Sequence, residues 1–253
     1  MGATQIYNEP RYYEIAFSFV DVPKQIDLFE LVVKKFGRKR TKNVLDICCG
    51  PSLQLPELAR RGYFVAGLDA NGQMLNYLED KLVEQKAKHA LYKQSMQDFT
   101  LNEKYDLAFC LMGSIHYLKS HQEYFSHLDC LAKAMKKGGL YIIENLPIFN
   151  RSGHGDWEVE SEGLFIKTDY TTTVLNQIKQ LMEHNFVMDI IKDGKKTTLK
   201  QRFITIFLGP QEFKLLVEQQ GKFEFIGYFQ RHNPLLLQLT GSNWENMTVI
   251  RRK

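Results

Sequence analysis

The chain has 253 residues, 44% apolar and 25% charged, with a formal net charge of +4, which suits one large α/β domain, or one domain carrying an insertion, and is not the composition of a disordered segment. Its basic residues form no block, so neither nucleic acid nor an anionic membrane is indicated as a partner, and no apolar run is long enough to span a bilayer. The four cysteines (Cys48, Cys49, Cys110, Cys130) have no paired or metal-ligand spacing, which argues against disulfides or a bound metal and for a reducing compartment; the chain reads as cytoplasmic.

Residues Met1 to Tyr13 are polar and rich in tyrosine (Tyr7, Tyr12, Tyr13). From Gln25 to Phe36 the apolar residues Ile26, Leu28, Phe29, Val32, Val33 and Phe36 make roughly one helical stripe, followed by a basic, solvated loop (Lys39, Arg40, Lys42). The stretch from Val44 to Asn71 then sets the fold. Val44, Leu45 and Ile47 read as a strand interrupted by Asp46; Cys48, Cys49 and Gly50 make a small-residue bend; a helical segment runs to Gly62; Tyr63 to Leu68 is a second strand, with Asp69 at its carboxyl end. Such a unit suits a nucleotide-like ligand. Gly50 lets the ligand approach the backbone, and an acidic residue at the next strand end can accept both ribose hydroxyl protons. The dinucleotide fingerprint requires glycine where this chain has Cys48, Gly50 and Leu53, so a nicotinamide or flavin is disfavoured, and the triphosphate loop is absent.

Asn71 can cap a helix running to about Gln85. A third strand is expected over Ala90 to Tyr92 and a fourth over Tyr105 to Leu111. The fourth ends in the loop Met112 to Leu118, which faces the same crevice as Gly50 and Asp69. In that loop His116 is the candidate for taking a proton from a substrate, since an unperturbed imidazole titrates near neutrality; a histidine hydrogen-bonded inside the loop is the alternative. An amphipathic helix from Glu123 to Lys137 should stop at Lys136-Lys137-Gly138-Gly139 and lead into a strand Leu140 to Glu144.

Read together, Leu45-Asp46-Ile47-Cys48-Cys49-Gly50, the Gln94 to Phe99 segment QSMQDF, Ser114-x-x-Tyr117-Leu118 and Lys137-Gly138-Gly139 resemble, in order and spacing from Val44 to Asn145, the class I S-adenosylmethionine-dependent methyltransferases. Asp46, Cys49 and Gly50 match that family's first motif, whereas Cys48, Pro51 and Ser52 stand where it usually has Gly, Thr and Gly. The resemblance implies a Rossmann-like α/β fold with a mostly parallel seven-stranded sheet and an antiparallel C-terminal hairpin. It also implies S-adenosylmethionine as cofactor and transfer of a methyl group to a nitrogen, oxygen or sulfur of a small-molecule acceptor. Carried over residue by residue, it places Asp46, Cys48, Gly50, Asp69, Ala70, Met74 and Leu111 around the cofactor. Tyr13 would close over it, and Ser95 with Met96 would sit near the adenine, Ser95 standing where the family has an acidic residue.

Residues 146–207 break the βα rhythm. Trp157-Glu158-Val159, Leu164 to Thr168, Ile178 to Ile191 and Thr197 to Phe207 alternate apolar with polar residues, and Lys192-Asp193-Gly194-Lys195 is a hairpin turn. This is an inserted antiparallel sheet, with residues 1–145 and 208–253 as the core. As a lid it would supply the acceptor pocket, with Ser114, Trp157 and Phe165 as substrate contacts; as a dimerisation sheet it would instead make the chain a homodimer rather than a monomer. A helix beginning at Gly209-Pro210 and strands at Phe223 to Tyr228 and Met247 to Ile250 complete the core. The rival functions are a methyltransferase of RNA or protein, and a non-catalytic cofactor-binding interaction module.

Overall fold

The computed structural model describes residues 6–38, 40–146, 152–231, 233–239 and 245–253; Lys39 of the basic loop and the first residues of the insertion, 147–151, lie outside them. After a 3₁₀ turn at Ile6–Asn8 come helices α1 (Pro10–Ala16) and α2 (Val22–Phe36), the latter capped by Asp21 accepting the Lys24 amide at 3.2 Å. The core then runs β1 (Asn43–Ile47), α3 (Gln54–Arg60), β2 (Phe64–Asp69), α4 (Gly72–Glu84), β3 (His89–Lys93), β4 (Tyr105–Cys110), a 3₁₀ turn at Ser114–Tyr117, α5 (His121–Ala134) and β5 (Met135–Glu144). The insertion is β6 (Gly153–Ser161), β7 (Leu164–Asn176), β8 (Leu181–Lys192) and β9 (Lys195–Ile206). Helix α6 (Pro210–Gln220), β10 (Phe223–Gln230) and β11 (Asn246–Arg252) close the chain.

The core strands form one seven-stranded sheet in the order β10-β11-β5-β4-β1-β2-β3. Strands β1 to β5 pair in parallel, and β11 pairs antiparallel with both β5 and β10. This is the expected mostly parallel sheet with an antiparallel end. Continuous apolar runs such as Val44-Leu45 and Leu107-Ala108-Phe109 suit strands covered on both faces. One cover is α5 with α6, burying Tyr124, Leu128, Leu131 and Phe213; the other is α2, α3 and α4, burying Phe29, Leu55 and Leu78. The winding reverses between β1 and β4, so the crevice lies at their carboxyl ends.

Two boundaries differ from the sequence reading. The helix expected to reach Lys137 ends at Ala134, and β5 already starts at Met135. Lys136 is drawn into the sheet by an ion pair with the buried Asp106 (3.0 Å), and Gly138 (φ +83°) sits in a register shift between β4 and β5 rather than at a helix end. In the insertion Ile178, expected in a strand, lies in the turn between β7 and β8 and is 96% exposed.

Strands β6 to β9 make a separate antiparallel sheet in sequence order. One face buries Leu164, Ile166, Met188 and Leu199 against Ile15, Ala16 and Phe17 of the N-terminal segment. Helix α1 is the clasp between sheet and core. Its Glu14 accepts from Tyr77 and Lys81 of α4 (both 2.5 Å), its Arg11 pairs with Glu162 at the β6–β7 turn (2.7 Å), and its Ala16 carbonyl accepts the Trp157 indole N–H (2.7 Å). Among the described residues no helix is long and apolar enough to cross a membrane.

Candidate active site

At the end of β1 the chain turns through three left-handed residues, Cys48 (φ +57°), Gly50 (φ +52°) and Ser52 (φ +31°). Only one of the three is glycine, and an L side chain in this region costs on the order of 1–3 kcal/mol. Ser52 offsets this through its side chain: Oγ donates to Asp46 Oδ2 (2.7 Å) and accepts the Leu55 amide (3.1 Å), tying β1 to the first turn of α3. Burial raises the Asp46 carboxyl well above its ordinary range, opposed by the Ser52 hydrogen bond. Asp46 is therefore the internal strut of the turn. A Cβ built on Gly50 would meet nothing within 4 Å, so the outer side of the turn is open to a ligand.

Asp69 at the end of β2 is the other pole. Its Oδ2 accepts the Gly50 amide and its Oδ1 the Asn71 amide, both at 2.8 Å. Each oxygen keeps a lone pair, enough to receive a vicinal diol. Burial raises its pKa, and the Asn71, Gly50 and Ala70 amides oppose the rise. Asn71 in turn caps α4 through the Gln73 amide (2.8 Å) and donates to the Tyr7 carbonyl (2.7 Å), so the N-terminal segment is fastened to this end of the crevice. The Tyr7 and Tyr117 hydroxyls are hydrogen-bonded to each other, and Tyr13 packs, tilted, against both Tyr7 (5.9 Å) and Phe17 (4.7 Å). Burial pushes the Tyr7 phenol up to about 12, and the tyrosines here stay protonated.

The structure brings Tyr13, Asp46, Cys48, Gly50, Asp69, Ala70, Met74 and Leu111 to the carboxyl ends of β1, β2 and β4 or to the N-terminal segment over them. Met74 and Leu111 are buried, while Ala70 is exposed. Met96 is a core residue whose carbonyl accepts from His127 Nδ1 (2.8 Å), and Ser95 is turned into its own loop, donating to Gln97 Oε1 (2.5 Å). Ser114 begins the 3₁₀ turn after β4 and is half-buried.

Three expectations about the acceptor side need correction. His116 is not an exposed base. It is 3% exposed, with Nε2 on the Asn145 carbonyl (3.0 Å) and Nδ1 at 3.5 Å from the Tyr124 hydroxyl, and burial pushes it down to about 4. Its position braces the ends of β4 and β5, where Met112 and Asn145 are left-handed (φ +54° and +57°). Trp157 and Phe165 do not share a face: Trp157 pairs with Thr168 on the buried side, and Phe165, three residues from Thr168, points the other way, across from Glu160 and Ile191. Trp157 itself packs on Phe17 (5.3 Å), at the end of α1, and on Phe186 of β8 (6.1 Å).

The sequence reading missed a buried polar chain behind the first turn. Gln54 donates to Gln25 (2.8 Å), which donates to Glu144 Oε1 (2.6 Å), and Glu144 Oε2 accepts the Met112 amide (3.3 Å). It also missed Tyr7, Tyr170, His184, Gln201 and Phe203. A wide groove of about 1390 Å³ lies instead at the amino ends of β1 to β3, lined by Lys34, Arg38, Lys42 and Lys86. It is far from these groups, and the chemistry of the crevice outweighs its size.

Residues 44–139 match the model of a methyltransferase domain. The matched span holds the β1 turn, Asp69 and strands β1 to β4, so the crevice lies within it. Over 112 residues the chain is 25% identical to a protein of Geobacillus sp. (strain WCH70) that carries a methyltransferase name, the match covering 44% of this chain and 45% of that one. The chain thus spans less than half the length of the curated relative it matches. Its fold is that of an S-adenosylmethionine-dependent methyltransferase from Clostridium acetobutylicum ATCC 824 (TM-score 0.80, 14% identity, 97% of this chain and 98% of that one). It is also that of a sugar N-methyltransferase from Streptoalloteichus sp. ATCC 53650 (TM-score 0.75, 17% identity, 100% and 98%). Both align across the inserted sheet as well as the core.

Proposed function

We propose that the protein is an S-adenosylmethionine-dependent methyltransferase that methylates a nitrogen, oxygen or sulfur of a small-molecule acceptor. The observation that carries this reading is Asp69: its two oxygens are held by the Gly50 and Asn71 amides, beside a turn with open space over Gly50. A carboxylate so fixed offers its remaining lone pairs to the ribose hydroxyls, and buried Met74 and Leu111 supply apolar surface on the same side. The residues present therefore fit the cofactor.

S-adenosylmethionine supplies an electrophilic methyl group on a sulfonium sulfur. What the chain does is hold and exclude. The Ser52–Asp46 bond fixes the turn, Asp69 orients the nucleoside, and α1 with its tyrosines closes the crevice from water under the inserted sheet. Holding two reactants in line supplies on the order of 7–11 kcal/mol of barrier reduction in favourable cases, with no acid or base required of the protein. A small acceptor is supported by the cover itself. The inserted sheet packs on α1 and the N-terminal segment that carries Tyr7 and Tyr13, and the Streptoalloteichus protein of the same fold is named for a sugar.

The test is titration calorimetry with S-adenosylmethionine and S-adenosylhomocysteine, followed by incubation with methyl-labelled S-adenosylmethionine and a metabolite extract. The reading predicts binding of both and transfer of label to a small molecule. Binding without transfer would make the chain a non-catalytic module; no binding of either would remove the assignment.

A further inference from the structure

The buried face of the inserted sheet changes character from one end to the other. Strand register fixes its transverse rows. Trp157, Thr168, Met188 and Leu199 make one row, which packs on the N-terminal segment. The next row holds Tyr170, Phe186 and Gln201, and the one after it His184 and Phe203. These two rows are polar and aromatic, and they meet the core where Phe203 packs at 4.8 Å on Tyr117, the residue that closes over the crevice with Tyr7.

Within this corner His184 is engaged on both ring nitrogens. Nδ1 lies 2.5 Å from the Tyr170 hydroxyl, Nε2 lies 2.8 Å from Thr205 Oγ1, and the ring is stacked on Phe203 (4.7 Å, 4° between planes). With its proton on Nε2, given to Thr205, the imidazole accepts the phenol's hydrogen bond at Nδ1 and leaves the Tyr170 oxygen able to accept one in turn. Gln201, one row over on the same face, has its side-chain carbonyl buried with no donor to satisfy it. A buried carbonyl without a donor costs about as much as a lost hydrogen bond, and it is rare enough to call for an explanation.

We propose that this corner seats the group that is methylated, and that this group is a neutral amine whose N–H is received by the Gln201 carbonyl and by the Tyr170 oxygen that His184 orients. The inference rests on the transferase reading above and narrows its acceptor. An alcohol would have to give up its proton as it attacked, and these two rows carry no carboxylate. Burial pushes both nearby imidazoles, His116 and His184, down to about 4, leaving them poor bases. A thiolate or alkoxide would face the lone pairs of Gln201 and Tyr170 instead of donors. An amine needs neither base nor counter-charge. Its lone pair forms the N–C bond, the S–C bond breaks with its electron pair passing to sulfur, and the resulting ammonium yields its proton to water.

The experiment takes the product labelled from methyl-labelled S-adenosylmethionine in a metabolite extract and identifies the methylated atom by tandem mass spectrometry. Label on nitrogen is expected. Label on oxygen, sulfur or carbon would overturn the inference and leave the transferase reading standing, whereas no label despite cofactor binding would overturn both. With the labelled acceptor in hand, Gln201→Leu and Tyr170→Phe are each expected to lower kcat/KM by 10- to 100-fold, mainly through KM. Calorimetric affinity for S-adenosylhomocysteine serves as the check on folding and should stay within twofold. Unchanged kcat/KM in both variants, with that affinity intact, would refute the seat.

Discussion

Replacing Asp69 by asparagine separates what the carboxylate does for the fold from what it does for the ligand. In the free protein its two oxygens take the Gly50 and Asn71 amides, both at 2.8 Å. An amide has one acceptor oxygen, so one of these N–H groups would face an NH₂. The loss is one charge-assisted bond, about 1.5–3 kcal/mol, and the surviving bond would be weakened by roughly half. Part of this returns, because burial disfavours the charge at this position in the first place. A net stability loss of about 1–2 kcal/mol is expected in urea denaturation. For the cofactor, one acceptor of the ribose diol disappears, which at about 1.5–3 kcal/mol is a 10- to 150-fold weaker Kd for S-adenosylhomocysteine. Titration calorimetry reads this directly. A variant that keeps a cooperative unfolding transition and binds within twofold of the wild type would show that Asp69 is a structural brace of the turn and not a ligand.

Trp157→Ala should cost stability, but less than the about 3–5 kcal/mol of a fully buried aromatic, because Trp157 is half-buried. It should also weaken S-adenosylhomocysteine, because it releases α1 and the tyrosines it carries; normal cofactor affinity with only acceptor KM altered would contradict the clasp role of α1. His116→Asn should lower kcat by less than tenfold, since a brace is being exchanged; a loss of 10²- to 10⁴-fold in a folded variant would restore His116 as a general base. The buried His116, His127 and His184 have folded-state pKa values pushed below the ordinary 6.5 to about 4, so the unfolded chain takes up their protons first. Their stabilisation is present above pH 6.5 and is lost as pH falls toward 4, at about 2 kcal/mol each by pH 5. Asp46 and Asp69, with raised values, act in the opposite sense, so the contribution is best isolated in His127→Gln, which should lose about 2 kcal/mol less than wild type between pH 7 and pH 5; identical pH dependence would contradict it.

The crevice at the carboxyl ends of β1 and β2 was legible in the sequence because its determinants are local. Asp46, Gly50 and Asp69 lie within one βαβ unit, and the apolar runs of β1 and β2 place them at strand ends whatever else the chain does. The departures from the family's glycines at Cys48 and Ser52 left the turn's conformation open until the Ser52–Asp46 and Ser52–Leu55 bonds were seen to hold it. The acceptor side was not legible in the same way. Which residues of the inserted sheet face inward depends on where each hairpin turns, and a shift of one residue flips every side chain. Placing Ile178 in a strand and pairing Trp157 with Phe165 are errors of this kind. Helix α1 is seven residues long and polar on its exposed side, too short for a clear helical period, and its role comes from Glu14, Arg11 and the Ala16 carbonyl, each with a partner far along the chain. The buried Gln54–Gln25–Glu144 chain likewise joins three elements that no local pattern connects.

The measurement that bears most directly on the account is a crystal structure of the protein grown with S-adenosylhomocysteine. The account predicts the nucleoside at the carboxyl ends of β1 and β2, with both ribose hydroxyls hydrogen-bonded to Asp69 and the Gly50 backbone against the ligand. A nucleoside bound in the basic groove at the amino ends of the strands, or one in the crevice that leaves Asp69 untouched, would contradict it.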